Sequence, residues 1–280
     1  MLVENFLPGR VAAFGLDLAD LRQQNPRLIT ASISGFGTGN AYSDRPGFDF
    51  IAQAMGGMMA VTGPAGGEPT RVGVASTDLA TGMYVVQGVL AALYERERTG
   101  RGRHVEVALL DTQVAWLINL ASGWLNSGRS TGPYGNAHPS IAPYETLRTA
   151  DGPLAVAVGT DRQFARLCGV LGLGRLAADP RFATNADRVQ NRPALLVALE
   201  ARLVQRTRAQ WLAELVPAGV PAGPVNTLPE VFADPVVRER MVRTVEGSVQ
   251  VRSPIRLDGE PLPMSSAPPA LGAHTDEVLG

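Results

Sequence analysis

The sequence contains no lysine; all 25 of its basic residues are arginine. That excludes Schiff-base chemistry on a lysine amine. Cysteine is almost as scarce. Cys168 stands alone, so no disulfide can form within the chain, and the cytoplasm is the compartment this usage fits. Its neighbours Phe164, Leu167, Val170 and Leu171 mark it as a small buried hydrophobe rather than a thiol nucleophile. The three histidines, His104, His138 and His274, lie far apart without metal-ligand spacing, and no metal site is expected. No apolar run approaches the roughly 20 residues of a membrane-spanning helix. The opening MLVENFLPG lacks the basic-then-apolar pattern of a secretory signal. With a net charge of -1, the chain offers neither a basic surface for nucleic acid nor an acidic tail.

What is present suits a soluble α/β protein. At 280 residues and 45% hydrophobic content the chain can bury a sizeable core in one large or two modest domains. Residues 28–34, LITASIS, are apolar and β-branched between Pro26 and Gly35, and read as a buried strand. A glycine loop, 35–40, follows it without a GxGxxG or Walker pattern. Residues 2–3 read as a strand end, 17–24 as a helix, 50–62 as a helix and 104–109 as a strand. This alternation argues for a parallel sheet with ligands at the carboxyl ends of its strands. Residues 109–126 read as one long apolar helix. The Gly/Pro/Ser-rich passage 128–144 reads as a linker, closing a large domain at 1–127 and leading to a small one at 145–225. A strand at 154–158, helices at 162–171 and 192–206, and a helix capped by Thr207 make up that second unit. Residues 226–280 read as a linker returning to the large domain, with one helix at 229–241 and short strands after it.

The stretch with most chemical content is 72–103, VGVASTDLATGMYVVQGVLAALYERERTGRGR. It reads as a short strand, a sharp turn and a helix whose packed face carries Leu79, Met83, Val86, Val89, Leu90 and Leu93. Thr77 or Asp78 falls at the helix N-cap. Asp78 is then either a plain cap or an ionised, oriented carboxylate able to act as a nucleophile.

Several passages together resemble the type III CoA-transferase (CaiB/BaiF) family: LVENFLPG at 2–9, NPRLITASISGFG at 25–37, RPGFDFIAQAMGG at 45–57, the Asp78 stretch with TGRG at 99–102, GNAHPSIAPY at 135–144, GVPAGPVN at 219–226 and LGAHTDEVLG at 271–280. The likeness implies a Rossmann-like large domain, present here in part, plus a small α/β domain, in an interlocked homodimer. It implies Asp78 as the catalytic aspartate, and CoA contacts at Glu4, Asn5, Phe6, Gly47, Phe48 and Asp49. The loop that closes over the acyl group in some members falls on Gly135, Asn136, Ala137 and His138, whose backbone amides are candidates for an oxyanion site. Family members carry about a hundred further N-terminal residues, a small domain's worth, so the chain reads as lacking that portion.

The implied reaction moves coenzyme A from an acyl-CoA, such as succinyl-CoA, to a carboxylic acid through an aspartyl anhydride and an aspartyl-CoA thioester. No nucleic acid, membrane or metal takes part. Two alternatives stand beside it: α-methylacyl-CoA racemisation, in which Phe48 replaces a histidine base and His138 would have to serve, and an inactive truncated chain.

Overall fold

The computed structural model describes residues 1–129 and 131–280; Ser130, inside the stretch read as a linker, lies outside the described residues. The chain divides into two units, Met1–Ser140 and Ile141–Gly280.

The first unit is built on three parallel strands, β1 (Leu2–Glu4), β2 (Thr30–Ser34) and β3 (His104–Ala108), with β2 in the centre. Helix α1 (Leu18–Gln24) makes the first crossover, and its N-terminus is satisfied by Asp17, whose carboxylate accepts the amides of Ala19 and Asp20. The second crossover contains α2 (Asp49–Met55), α3 (Met58–Val61) and the long α4 (Ser76–Thr99); α5 (Leu109–Ala115) and α6 (Ile118–Ser127) follow β3. The centre of this unit is Ala31 with Val85 and Val89, against which Ile33, Leu93, Val105 and Val107 pack.

Four sequence expectations are corrected here. Residues 72–75 are not a strand, because the Val72 amide is taken by the Gln53 side chain and only β1, β2 and β3 form this unit's sheet among the described residues. The helix expected over 50–62 breaks at Gly56-Gly57: a Cβ on Gly56 would strike the Gln113 side chain, and Gly57 is left-handed at φ 86°. The helix expected over 109–126 breaks after Ala115, where Ile118 adopts a φ of 44°. Most consequential, α4 buries its small residues and not its large ones. Thr77, Ala80, Thr81, Val85 and Ala92 face inward with the expected Val89, and the expected Leu93 packs beside them, while Leu79, Met83, Val86 and Leu90 are exposed. Short side chains let the helix lie close on the sheet, as at Gly88, where a Cβ would come 2.6 Å from Val105 Cγ1.

The second unit holds an antiparallel sheet of β4 (Tyr144–Arg148), β5 (Pro153–Ala157) and β6 (Ala222–Pro224), with β5 central. The first of these strands carries little apolar alternation and was not apparent in the sequence. Around the sheet lie α7 (Asp161–Leu171), α8 (Gly174–Ala177), α9 (Asn185–Gln190), α10 (Arg192–Leu203) and α11 (Arg208–Leu215). They enclose a core of Leu147, Leu154, Phe164, Leu199, Trp211 and Leu215 with their neighbours. Thr160, Thr184 and Thr207 each close a capping box at a helix start. The helix expected over 229–241 is two, α12 (Leu228–Ala233) and α13 (Pro235–Met241). Asp234 ends one and caps the next, as the proline after it requires. Hairpin β7 (Val242–Val245) and β8 (Ser248–Val251), the short pair β9 (Arg256–Leu257) and β10 (Glu260–Pro261), and α14 (Thr275–Leu279) complete the chain.

Candidate active site

The carboxyl ends of all three parallel strands open onto one pocket of about 550 Å³. Asn5, Phe6 and Leu7 line it after β1, Ser34 and Gly35 at the end of β2, and Leu109 after β3. The 46–48 loop forms another wall. Gly35 and Gly47 meet back to back there, and a Cβ on either would run into the backbone of the other. Two glycines at this crossing let the loop rest on the end of β2 and present Phe48 to the pocket. The remaining wall is the first turns of α4: Asp78, Thr81 and Gly82.

Asp78 is the third residue of α4, one position deeper than a cap, and its side chain is exposed. Among the described residues its carboxylate has no hydrogen-bond partner. Capping is done from elsewhere: Asp49 Oδ1 accepts the Thr77 amide at 2.9 Å. The other Asp49 oxygen accepts Gln53 Nε2 at 2.8 Å, and Gln53 Oε1 accepts the Val72 amide at 2.8 Å. Thr77 Oγ1 donates to Gln113 Oε1 at 2.7 Å, and Thr81 Oγ1 to the Thr77 carbonyl at 2.8 Å. This buried lattice fixes the entry to α4, so the expected capping role of Asp78 is corrected and passes to Asp49. Asp78 is held by its backbone and left free at its carboxylate.

The electrostatics follow from this placement. The positive end of the α4 dipole favours an ionised Asp78. Partial burial, and secondarily the Asp49 carboxylate, push its pKa above the ordinary aspartate range. Among the described residues lining the pocket, Asp78 alone carries a charge. A carboxylate with no partner, raised basicity and a neutral surround is equipped as a nucleophile or a base.

The other residues singled out by sequence divide. Asn5, Phe6, Gly47 and Phe48 share the pocket with Asp78. Glu4 lies on a second pocket of about 230 Å³, and its Oε2 accepts the Phe6 amide at 2.8 Å, holding the 4–6 turn. Asp49 is buried and does not line the pocket. Nor do Gly135, Asn136, Ala137 and His138. The Gly135 amide donates to the Gly63 carbonyl and that of Ala137 to the Tyr134 carbonyl, so those two N–H groups are already committed. His138 Nδ1 accepts the Ser140 amide at 3.2 Å. Thr81, Gly82, Ser34 and Leu109 were missed; none carries a motif, although Gly82 and Thr81 lie within one helical turn of Asp78. Among the described residues no set of His, Cys, Asp or Glu could hold a metal ion, and no helix is long and apolar enough to cross a membrane.

Known proteins resemble the chain over nearly its whole length. The model of CoA-transferase family III matches residues 1–275. The succinate–glutarate CoA-transferase of Agrobacterium fabrum is 42% identical over an alignment that takes in 100% of this chain and 71% of that protein. The succinyl-CoA:glutarate CoA-transferase of Mus musculus is 38% identical, over 100% of this chain and 65% of that protein. The chain thus spans about two thirds of the length of these relatives. Among solved structures, a CAIB/BAIF family protein from Brucella suis is 46% identical and has a TM-score of 0.88, covering 99% of this chain and 74% of that one.

Proposed function

Since the chain belongs to CoA-transferase family III, we propose that it transfers coenzyme A between carboxylic acids with Asp78 as the nucleophile. The observation that carries this reading is the partner-free Asp78 carboxylate, the lone charge among the described lining residues of the pocket at the strand ends. An Asp78 oxygen attacks the thioester carbonyl of the donor, the C–S bond breaks, and coenzyme A leaves as its thiolate. The product on the enzyme is a mixed anhydride. The thiolate then attacks the aspartyl carbonyl and expels the donor acid as its carboxylate, leaving an aspartyl thioester of coenzyme A. The acceptor carboxylate attacks that thioester, releasing the thiolate and forming a second anhydride. Attack of the thiolate on the acceptor carbonyl completes the exchange and frees Asp78. Each step trades one activated acyl bond for another, so the site mainly positions groups and keeps water from the anhydride.

The substrates proposed are dicarboxylic acids and their CoA esters, with succinyl-CoA as donor. Support comes from the names of relatives at 42% and 38% identity, which state succinate and glutarate. Asn5, Phe6, Gly47 and Phe48 are proposed to contact coenzyme A, since they share the pocket with Asp78. The homodimer implied by the family likeness belongs to the same proposal, supported by the exposed apolar residues of α4. Racemisation needs a second proton-transfer group, and no other titratable residue is present among the described lining residues.

The test is peptide mass spectrometry. Cleavage after Arg71 and Arg96 releases residues 72–96 as one peptide. After incubation with succinyl-CoA and a hydroxylamine quench, Asp78 should carry a hydroxamate that is absent without donor. An unmarked peptide with donor intact would sink the covalent route.

A further inference from the structure

Helix α4 has two interior glycines, Gly82 and Gly88, and the fold accounts for only one. A glycine inside a helix is less stable than alanine, because it brings backbone entropy and no packing. At Gly88 the small residue is required, since a Cβ would collide with Val105. At Gly82 nothing among the described residues lies within 4 Å of the position a Cβ would take. No neighbour in the unit forbids alanine there, yet the helix forgoes it. Gly82 is also four residues after Asp78, on the same helix face, and lines the same pocket. The volume left empty by the missing methyl therefore belongs to the pocket beside the reacting carboxylate.

We propose that Gly82 is a clearance position for substrate: the reacting end of the acyl-CoA, thioester and acyl chain together, lies across it, and its bare backbone sets which acyl groups reach Asp78. The inference rests on the proposed CoA transfer and names the position on this chain that selects among its substrates. With Thr81 buried beside it and Leu109 in the same lining, the wall around Gly82 is uncharged apart from Asp78 itself. Such a surface accommodates the methylenes and thioester of a substrate better than its ionised carboxylate. A methyl group placed there would occupy the path of the acyl group without touching any side chain that holds the fold together.

The distinguishing signature is opposite signs in stability and activity. Gly82→Ala is compared with Gly123→Ala, which lies inside α6 with equally open surroundings and outside the pocket. Both substitutions should raise Tm by about 1–4 °C, the usual gain for this change in an exposed helix. Gly82→Ala should nevertheless lower kcat/KM for succinyl-CoA by about tenfold or more, the scale of one misplaced carbon in a shaped pocket. Gly123→Ala should leave kcat/KM unchanged. Affinity for free coenzyme A, measured by calorimetry, should be kept in both.

Running acetyl-, succinyl- and glutaryl-CoA side by side locates the contact. A loss that grows with chain length places the acyl group over Gly82, and a uniform loss places the thioester there. If wild-type protein transfers coenzyme A and Gly82→Ala is equally active on every donor, this proposal falls while the transfer reading stands. A loss of activity accompanied by a fall in Tm would assign Gly82 to the fold and likewise overturn it. If the wild-type protein neither transfers nor marks Asp78, the transfer reading itself has failed.

Discussion

The Thr77 amide donates to Asp49 Oδ1 across 28 residues of sequence, so the acid that begins α2 caps the helix that carries Asp78. Donors and acceptors in this lattice have a fixed direction: Val72 N–H to Gln53 Oε1, Gln53 Nε2 to Asp49, Thr77 N–H to Asp49. Asp49→Asn preserves shape but sets the new amide against Gln53 Nε2. Turning Gln53 over only moves the conflict to Val72. The variant should lose about 1–3 kcal/mol, the cost of a buried unpaired donor. Adding Gln53→Glu restores an acceptor to both neighbours, and urea denaturation of the double variant should recover most of that loss. A double variant no more stable than Asp49→Asn would show that the lattice is not what supports α4.

Asp49 also bears on the pH dependence expected of Asp78. Burial first, and the Asp49 charge second, raise the Asp78 pKa above its ordinary value of 3.8. The ionised carboxylate thus forms at higher pH than a free aspartate would, and with Asp78 as the proposed nucleophile the acidic limb of kcat/KM should lie above pH 3.8. Asp49→Asn should move that limb to lower pH without bringing it to 3.8, because burial remains. For stability the sign reverses. A folded pKa above the unfolded one favours folding at pH below the unfolded value, and that contribution is lost as pH rises through the folded value. Asp78→Asn should therefore melt higher than wild type at neutral pH, with the difference fading in acid. Its activity should fall by at least about a thousandfold, as for loss of a nucleophile.

How much of this was legible in the sequence depends on how far the causes reach along the chain. LITASIS announced the central strand through its β-branched run, and Thr207 announced a helix through its cap, because both signals are local. The periodicity of α4 was read correctly, but only Val89 and Leu93 of the six residues assigned to its packed face lie against the sheet. Leu79, Met83, Val86 and Leu90 have helical spacing but are exposed in this chain, while Ala80, Thr81 and Ala92 make the close approach. Apolar periodicity reports a face suited to burial; it does not say which element covers it. Asp49 was legible as an acid at a helix start, but the helix it serves is not its own. Thr81 and Gly82 gave no signal because a hydroxyl and a missing side chain acquire meaning only once Asp78 is beside them.

In the second unit, a fully buried arginine replaces part of an apolar core. Arg188 Nε donates to the Ala142 carbonyl at 2.7 Å and Nη1 to that of Phe182 at 3.1 Å, while Nη2 pairs with Asp161 at 2.8 Å. Its guanidinium also stacks over the Phe164 ring. Arg188→Met would fill much of the volume and leave these carbonyls without donors, at a cost of about 3–5 kcal/mol. Arg188→Lys should recover only part, because one ammonium cannot reproduce the planar fork. Chemical denaturation of the three proteins checks both statements; a stable Arg188→Met would show that packing alone holds this corner.

Cys168 supplies the control that the covalent route requires. A thiolate could also take an acyl group from a CoA ester, and hydroxylamine would release that group as a free hydroxamate and return the thiol unmarked. Burial pushes the Cys168 thiol up to about 11, with Arg188 pulling weakly the other way. At pH 8 only about one thiol in a thousand is then ionised. The side chain is also fully enclosed by the core of its unit. Native protein should therefore resist maleimide and take up one equivalent when denatured. Cys168→Ala should keep the donor-dependent mark on Asp78 and most of the activity, at a modest cost in stability. A mark that vanished with the cysteine would show that the acyl group reaches Asp78 by way of the thiol. A mark that persists leaves Asp78 as the group that receives it.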